Sequence, residues 1–311
     1  MERLGFVGAG RAGTALARGL AAAGWPVVAV SSRRLERAAQ LAAQLPGARP
    51  LPTAQAVADA ADLVFLTVPD AAIAPVAASI AWRAGQAVVH TSGVESLTPL
   101  ATARAAGARV GSFHPLQTFA AEPAAEPLAP FAGIVCALEG DASLLPRLEA
   151  MTVALGARPL VVPAEAKPLY HAAAVLASNY LVTLLHQAAA LWSAFGVPER
   201  TAIAALLPLV RAAVENVAAV GPAAALTGPI ARGDVSTVAK HLAALTRSYP
   251  EALPTYRALG AATLALAQER LEPAAIAALA ALLRPEVSPP STSEQPATDS
   301  PNAGGVAATV H

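Results

Sequence analysis

One cysteine in 311 residues, Cys136, excludes an internal disulfide, and its place in the apolar run Gly133-Ile134-Val135-Cys136-Ala137-Leu138 favours buried packing over nucleophilic chemistry. Charge is scarce and balanced: 21 Lys and Arg face 21 Asp and Glu, and charged residues make up 14% of the chain. A neutral chain without a long basic run is poorly suited to nucleic acid. The N-terminus lacks a basic segment leading into an apolar region, so no signal peptide is expected. Apolar runs are interrupted by Pro, Gly or charge before they reach bilayer length, so no membrane span is expected either. The resulting expectation is a cytoplasmic protein, with no metal site and no internal repeat.

What is abundant is apolar: 55% of the residues are hydrophobic. A chain of this length suggests roughly two domains with large cores, and its many alanines point to closely packed helices. The stretch Leu4-Gly5-Phe6-Val7-Gly8-Ala9-Gly10-Arg11-Ala12-Gly13 organises the first of them. A short apolar run before the glycines reads as a strand and the Ala-rich stretch after Gly13 as a helix, which puts Gly8, Gly10 and Gly13 on a strand-to-helix turn. Gly8 then permits the turn, Gly10 lets backbone approach a pyrophosphate, and Gly13 lets helix pack on strand. Phosphates would rest on the free N–H groups of the helix N-terminus, residues Ala9 to Gly13. The plainer alternative is a tight turn that binds nothing.

A second strand-like run, Trp25 to Val30, selects the dinucleotide. NAD sites usually carry an acidic residue about 20 residues beyond the glycines. Here Ser31-Ser32-Arg33-Arg34 stands instead, and hydroxyls with guanidinium groups suit the 2′-phosphate of NADP(H), because Arg binds phosphate bidentately. Arg33 and Arg34 as a merely solvated loop is the alternative.

Further strands are read at Ala61–Val68, stopped by Pro69, and at Gln86–His90, Val110–Pro115, Gly133–Leu138 and Arg158–Val162, alternating with helices. The implied fold class is α/β: a Rossmann, doubly wound, mainly parallel sheet over residues 1–162, followed by an all-α domain over 163–284. Residues 285–311, rich in Pro, Ser and Thr, are expected to be disordered. Because ligands of such sheets bind beyond the strands' carboxyl ends, Val68-Pro69-Asp70, His90 to Gly93 and His114-Pro115 should converge with the glycine turn. In the helical half, one helix starting at Pro168 is expected to run through His171 and Ser178 to His186, with His171 and Ser178 on one face and Asn179 one step round. Pro168 biases Lys167 away from helical geometry. The Gly- and Pro-dense Leu226 to Asp234 is either a plain turn or a loop closing on substrate, with Arg232 binding an anionic group.

Taken together, Gly8 to Gly13, Thr67-Val68-Pro69-Asp70, His90-Thr91-Ser92-Gly93, Ser112 to Phe119, Tyr170-His171-Ala172-Ala173-Ala174 through Ser178-Asn179, and Gly228 to Asp234 resemble the Rossmann-like proteins that carry a DUF2520 domain. The resemblance covers residues 1 to about 284. It implies an NADP-dependent oxidoreductase whose helical domain often dimerises, distantly similar to pyrroline-5-carboxylate reductases, 6-phosphogluconate-type dehydrogenases and ketopantoate reductases. The last two commonly place a catalytic Lys and an Asn one helical turn apart; here Lys167 is followed by His171, and Asn179 lies much further on.

The expected reaction is reduction of a C=O or C=N group in a small, carboxylate-bearing substrate, with a ketopantoate-like 2-keto acid as the most specific expectation. Such a reaction needs a proton donor. His171 is the first candidate and Lys167 the second, with Ser92, His114 and Asn179 orienting substrate and Ser178 and Arg232 binding it. A homodimer through the helical domain is expected. The alternative from another class is a catalytically weak NADP(H)-binding sensor or assembly protein.

Overall fold

The computed structural model describes residues 2–285. Eight strands are joined in order with helices: β1 (Leu4–Val7), α1 (Arg11–Ala22), β2 (Val27–Ser31), α2 (Leu35–Ala42), β3 (Arg49–Pro50), α3 (Ala54–Ala60), β4 (Leu63–Leu66), α4 (Asp70–Ala78), β5 (Ala87–His90), α5 (Ala101–Ala105), β6 (Arg109–Pro115), β7 (Val135–Gly140), α6 (Leu145–Ala154) and β8 (Arg158–Val161). Helices alone follow: α7 (Lys167–Ala177), α8 (Asn179–Ser193), α9 (Glu199–Val220), α10 (Pro222–Ala225), α11 (Val235–Ser248), α12 (Leu253–Ala267) and α13 (Pro273–Leu282).

The sheet order is β3-β2-β1-β4-β5-β6-β7-β8. Strands β1 to β6 are mutually parallel where paired; β7 runs antiparallel to β6 and pairs β8 in parallel. Alternation with period two serves both faces. Phe6, Phe65 and Val89 pack with Leu16 and Leu20 of α1 and Leu41 of α2, whereas Val7, Val64, Leu66 and Val88 pack with Val57 of α3 and Ile73 of α4. Strands covered on both sides have to be apolar at every position, which is why they read as continuous hydrophobic runs.

The chain divides into two compact units, Met1–Thr183 and one beginning at Leu184. The division falls later than the composition change at residue 163, because α7 is tied by side chains to the sheet. The expected tail, residues 285–311, lies outside the described residues apart from Pro285. In the second unit, Val238, Leu242 and Leu245 of α11 pack with Leu253 and Leu264 of α12 and Leu279 of α13.

Three local expectations need correction. Lys167 is helical (φ −58°, ψ −42°) and opens α7, since the single 3-10 turn Ala164–Ala166 leads directly into it. The long helix is interrupted at Ser178 (φ −120°, ψ −67°), which lies between α7 and α8. And two helical stretches, Ala164–Ser193 and Glu199–Val220, are after all long and apolar enough to cross a membrane by length and composition. Pro168 and Pro208 do not stop them; Pro208 lies inside α9.

Candidate active site

The carboxyl ends of β1, β2, β4, β5 and β6 lie on one edge, so the loops named from the sequence do converge there. At the glycine turn, Gly8 has φ +115°, and a Cβ on it would lie 2.4 Å from the Thr67 carbonyl oxygen. One on Gly13 would lie 2.6 Å from the Gly8 carbonyl. Thr67 closes the turn by donating its hydroxyl to the Gly8 carbonyl at 2.7 Å. At Gly10 a Cβ would meet nothing within 4 Å, and no side chain caps the α1 N-terminus there. Open space in front of uncapped helix amides is what a diphosphate requires, so the residues fit a dinucleotide.

Arg11 borders a cavity of about 660 Å³ between α1 and α2, which is also lined by Gly10, Arg37 and the segment Gln117 to Pro130. Arg18 helps hold that segment by donating to the Ala124 carbonyl at 2.8 Å. Ser31 is buried at the end of β2, where its carbonyl accepts from the Gly8 N–H; Ser32 is half-buried, and Arg33 and Arg34 are exposed. Arg37 was not anticipated. Its signal was its place three residues beyond Arg34, one turn into a helix. Val68 and Pro69 end the β4 loop, and the Asp70 carboxylate stands in the first turn of α4, where a helix dipole favours it.

Deeper along the same edge lies a polar cluster in otherwise apolar surroundings. His90 is fully buried; its Nδ1 accepts from the Ser92 N–H at 3.2 Å and its Nε2 donates to the Ser96 carbonyl at 2.9 Å. Ser92 is spent on local structure, its Oγ accepting the N–H groups of Val94 and Glu95. His114 and Tyr170 bond through Nδ1 and the phenol at 2.8 Å, their rings nearly perpendicular. His171 stacks edge-on to His114 with centroids 5.9 Å apart, and among the described residues its Nδ1 is buried without a hydrogen-bond partner. Both imidazoles press on Gly93, where a Cβ would lie 2.6 Å from His171 Nδ1 and 2.9 Å from His114 Nε2. Only glycine leaves room for the pair.

Lys167 is 2% exposed and donates to Ser112 Oγ at 2.7 Å and Glu139 Oε2 at 3.2 Å. Burial pushes its pKa down, and the Glu139 carboxylate opposes that shift. Burial also holds His90 and His114 down at about 4, with the charge of Lys167 adding to the effect on each. The Tyr170 phenol is pushed up to about 12, chiefly by burial. At neutral pH both histidines and the phenol are therefore uncharged.

The structure thus gathers His114, His171 and Lys167, with Ser92 one layer behind, and adds Ser112, Glu139 and Tyr170. Ser178 and Asn179 are not among them: Ser178 is half-buried at the helix break, Asn179 is exposed, and neither side chain has a hydrogen bond among the described residues. Arg232 belongs to the second unit, in a turn ending at Asp234. The Asp234 carboxylate accepts from the Thr237 N–H at 3.0 Å and caps α11, and hydrogen bonds from Thr237 and Ser236 hold its pKa down at about 2. That gives the Gly228 to Asp234 segment a structural task.

Residues 3–93 match the family described as NADP oxidoreductase coenzyme F420-dependent, and residues 134–263 match the domain of unknown function DUF2520. Among solved structures, the chain is similar to one from Bacteroides fragilis described as an NADP oxidoreductase (24% identity, TM-score 0.69, 86% of this chain and 98% of that one). It is also similar to a protein of Thermotoga maritima (25%, 0.64, 86% and 98%) and to an imine reductase from Pseudomonas sp. (20%, 0.59, 91% and 99%). No curated protein matches it in sequence. The first part of the sheet thus carries the match to the NADP oxidoreductase family, and the fold is that of a Rossmann-type sheet followed by a helical C-terminal region. The DUF2520 match lies on residues 134–263, from the end of the sheet through the first helices of the helical region.

Proposed function

We propose that this oxidoreductase reduces a C=O or C=N group of a small substrate, with His114, Tyr170 and His171 supplying the proton. The observation that carries the reading is the convergence of two imidazoles, His114 and His171, on Gly93, with Tyr170 hydrogen-bonded behind His114, at the same sheet edge as the glycine turn. NADPH, when bound, supplies a hydride. The chain's own residues would do the rest: amides of Ala9 to Gly13 would hold its phosphates, and Ser32, Arg33, Arg34 and Arg37 would contact its 2′-phosphate.

As negative charge grows on a substrate oxygen, or as an imine nitrogen takes its proton, a donor has to stand within hydrogen-bond reach. With Tyr170 donating to His114 Nδ1, the proton of His114 sits on Nε2, on the side facing Gly93. His171 Nδ1 is the second group on that side. Lys167, enclosed by Ser112 and Glu139, is not assigned this task. The likeness to an imine reductase favours including imines among the substrates; a 2-keto acid such as ketopantoate remains one member of the panel to be tried.

The test is NADPH oxidation by purified protein against small keto acids, ketones and cyclic imines, repeated with His114→Ala and His171→Ala. We expect turnover of at least one compound, and a loss of about 10²- to 10⁴-fold in the histidine variants with NADPH binding retained. NADPH binding without turnover of any compound would favour the sensor instead.

We also infer a homodimer. Residues 211–220 of α9 are exposed on every side, and Leu169, Leu176, Val182 and Leu209 are each more than half exposed. Apolar helices bare all round need cover. Arg211 and Glu215 inside the bare segment argue against lipid, where each charge would be costly, and they give the surface the opposite charges that a self-complementary two-fold contact can pair.

A further inference from the structure

Two side-chain bonds tie α7 to the sheet. Ser112 and His114 stand two residues apart on β6 and so project from one face; Lys167 and Tyr170 stand three apart on α7 and so share a helix face. Ser112 meets Lys167 at 2.7 Å and His114 meets Tyr170 at 2.8 Å, which makes a two-rung ladder between strand and helix. Glu139, directly opposite Ser112 in the antiparallel β6–β7 pairing, completes the lower rung. The proton-supplying reading uses only the upper rung.

We propose that Lys167 is the positioning residue of this site: its buried ammonium, clamped between Ser112 and Glu139, sets the register in which α7 presents Tyr170 to His114 and His171 to Gly93. The proposal rests on the reductase reading for its importance and on the ladder for its geometry. An ion pair removed from water is at best a weak stabiliser compared with apolar residues of the same volume, so stability alone does not account for one here. A register device does, because a slip of one residue along α7 would carry both rungs to other faces of the helix.

The charge has a second consequence. Glu139, Glu95 and Asp70 favour the charged form of Lys167, while the His90 and His114 rings feel that charge from the other side. His171 adds to the effect on His114. Lys167 therefore helps keep His114 unprotonated, the state in which its Nδ1 can accept from Tyr170.

The closing experiment compares wild type with Lys167→Arg and with the double variant Lys167→Met/Glu139→Gln, which removes both charges and strands neither. Its first readout is independent of turnover: the His114 imidazole is titrated by NMR. Wild type should titrate at about 4; the double variant should titrate measurably higher but still below the ordinary imidazole range, because burial, the main cause, remains, and the Tyr170 contact should be weakened. In activity, Lys167→Arg, which keeps the charge but cannot release a proton near neutral pH, should stay within about tenfold of wild type. The double variant should lose more in kcat than in KM, and the acid limb of its pH profile should shift upward.

An unmoved His114 titration in the folded double variant overturns the proposal. So does a folded Lys167→Arg protein as inactive as the double variant and without the basic limb of the wild-type profile, because that marks Lys167 as the proton donor. If Lys167→Arg fails to fold, the titration of the double variant still decides. A shifted titration in a protein that reduces nothing on the panel leaves the ladder standing and removes the reductase reading alone.

Discussion

The strands of the first unit and helix α9 are both mainly apolar, yet they are buried very differently. Phe6, Val64, Phe65, Val88 and Val89 are 0% exposed, sandwiched between helix layers. In α9, Leu209 is 67% exposed and Val220 60%. The difference teaches which apolar surface the chain covers by itself. The inner strands β1, β4 and β5 are covered on both faces and can therefore hold a precise polar cluster at their edge, whereas Leu169, Leu176 and Val182 of the same unit stay exposed. A 22-residue helix that leaves so much apolar surface exposed among the described residues is the surface on which the proposed dimer rests.

The sharpest way to break that comparison is to charge the bare helix. Leu209→Glu with Val217→Glu should convert a dimer into a monomer at micromolar concentration, read by sedimentation or light scattering, and should lower the melting temperature of the helical part. NADPH binding should persist, because the glycine turn lies on strands covered on both faces, and α9 belongs to the chain's other unit. A wild-type protein that is already monomeric at those concentrations would end the dimer reading and leave the exposed α9 surface without an occupant.

The sheet unit has its own weakness, which is acid. His90 and His114 titrate at about 4 in the folded protein, below the ordinary imidazole value of 6.5. From about pH 6.5 down to about 4 the unfolded chain thus binds more protons than the native one. The stability these groups contribute is present in full above that window and is lost as pH falls through it, at up to about 1.4 kcal/mol per pH unit for each histidine. Asp62, held down at about 2 chiefly by its hydrogen bond to Arg3, loses its contribution only below this window. Urea midpoints should therefore fall between pH 6.5 and 4.5, and less so in His90→Gln. A flat profile across that range would contradict the burial of both rings.

Most of the framework was legible in the sequence. Doubly covered strands announce themselves as apolar runs, and Gly8, Gly10 and Gly13 fall on a strand-to-helix turn that a Cβ at Gly8 or Gly13 would block. His114 and His171 were legible as residue types, and their meeting at Gly93 follows from strand-end convergence. Glu139 was not legible, since its part depends on β7 running antiparallel to β6, and nothing in an apolar run states direction. The misreading of Lys167 had a related cause. Pro168 suggests a disturbed backbone, whereas the tertiary contacts with Ser112 and Glu139 accompany ordinary helical angles at Lys167. Ser178 and Asn179 show another limit: polar residues in an apolar helix suggest a ligand, and the helix break that falls at Ser178 is not visible in the apolar pattern.

The smallest expected effect sharpens the comparison from the solvent side. Arg33, Arg34 and Arg37 are exposed, and none has a side-chain hydrogen bond or ion pair among the described residues. Removing them should therefore leave folding nearly untouched, unlike any change inside the ladder. Charge-assisted bonds to a phosphate are worth about 1.5–3 kcal/mol each, and less where solvent screens them. Arg33→Ala with Arg37→Ala should weaken NADPH binding by roughly tenfold or more while NADH binding changes little, because NADH lacks the 2′-phosphate these groups would contact. The readout is the ratio of the two dissociation constants at one ionic strength. Equal weakening of both cofactors would place these arginines at the diphosphate instead, where Arg11 already stands beside the open face of Gly10.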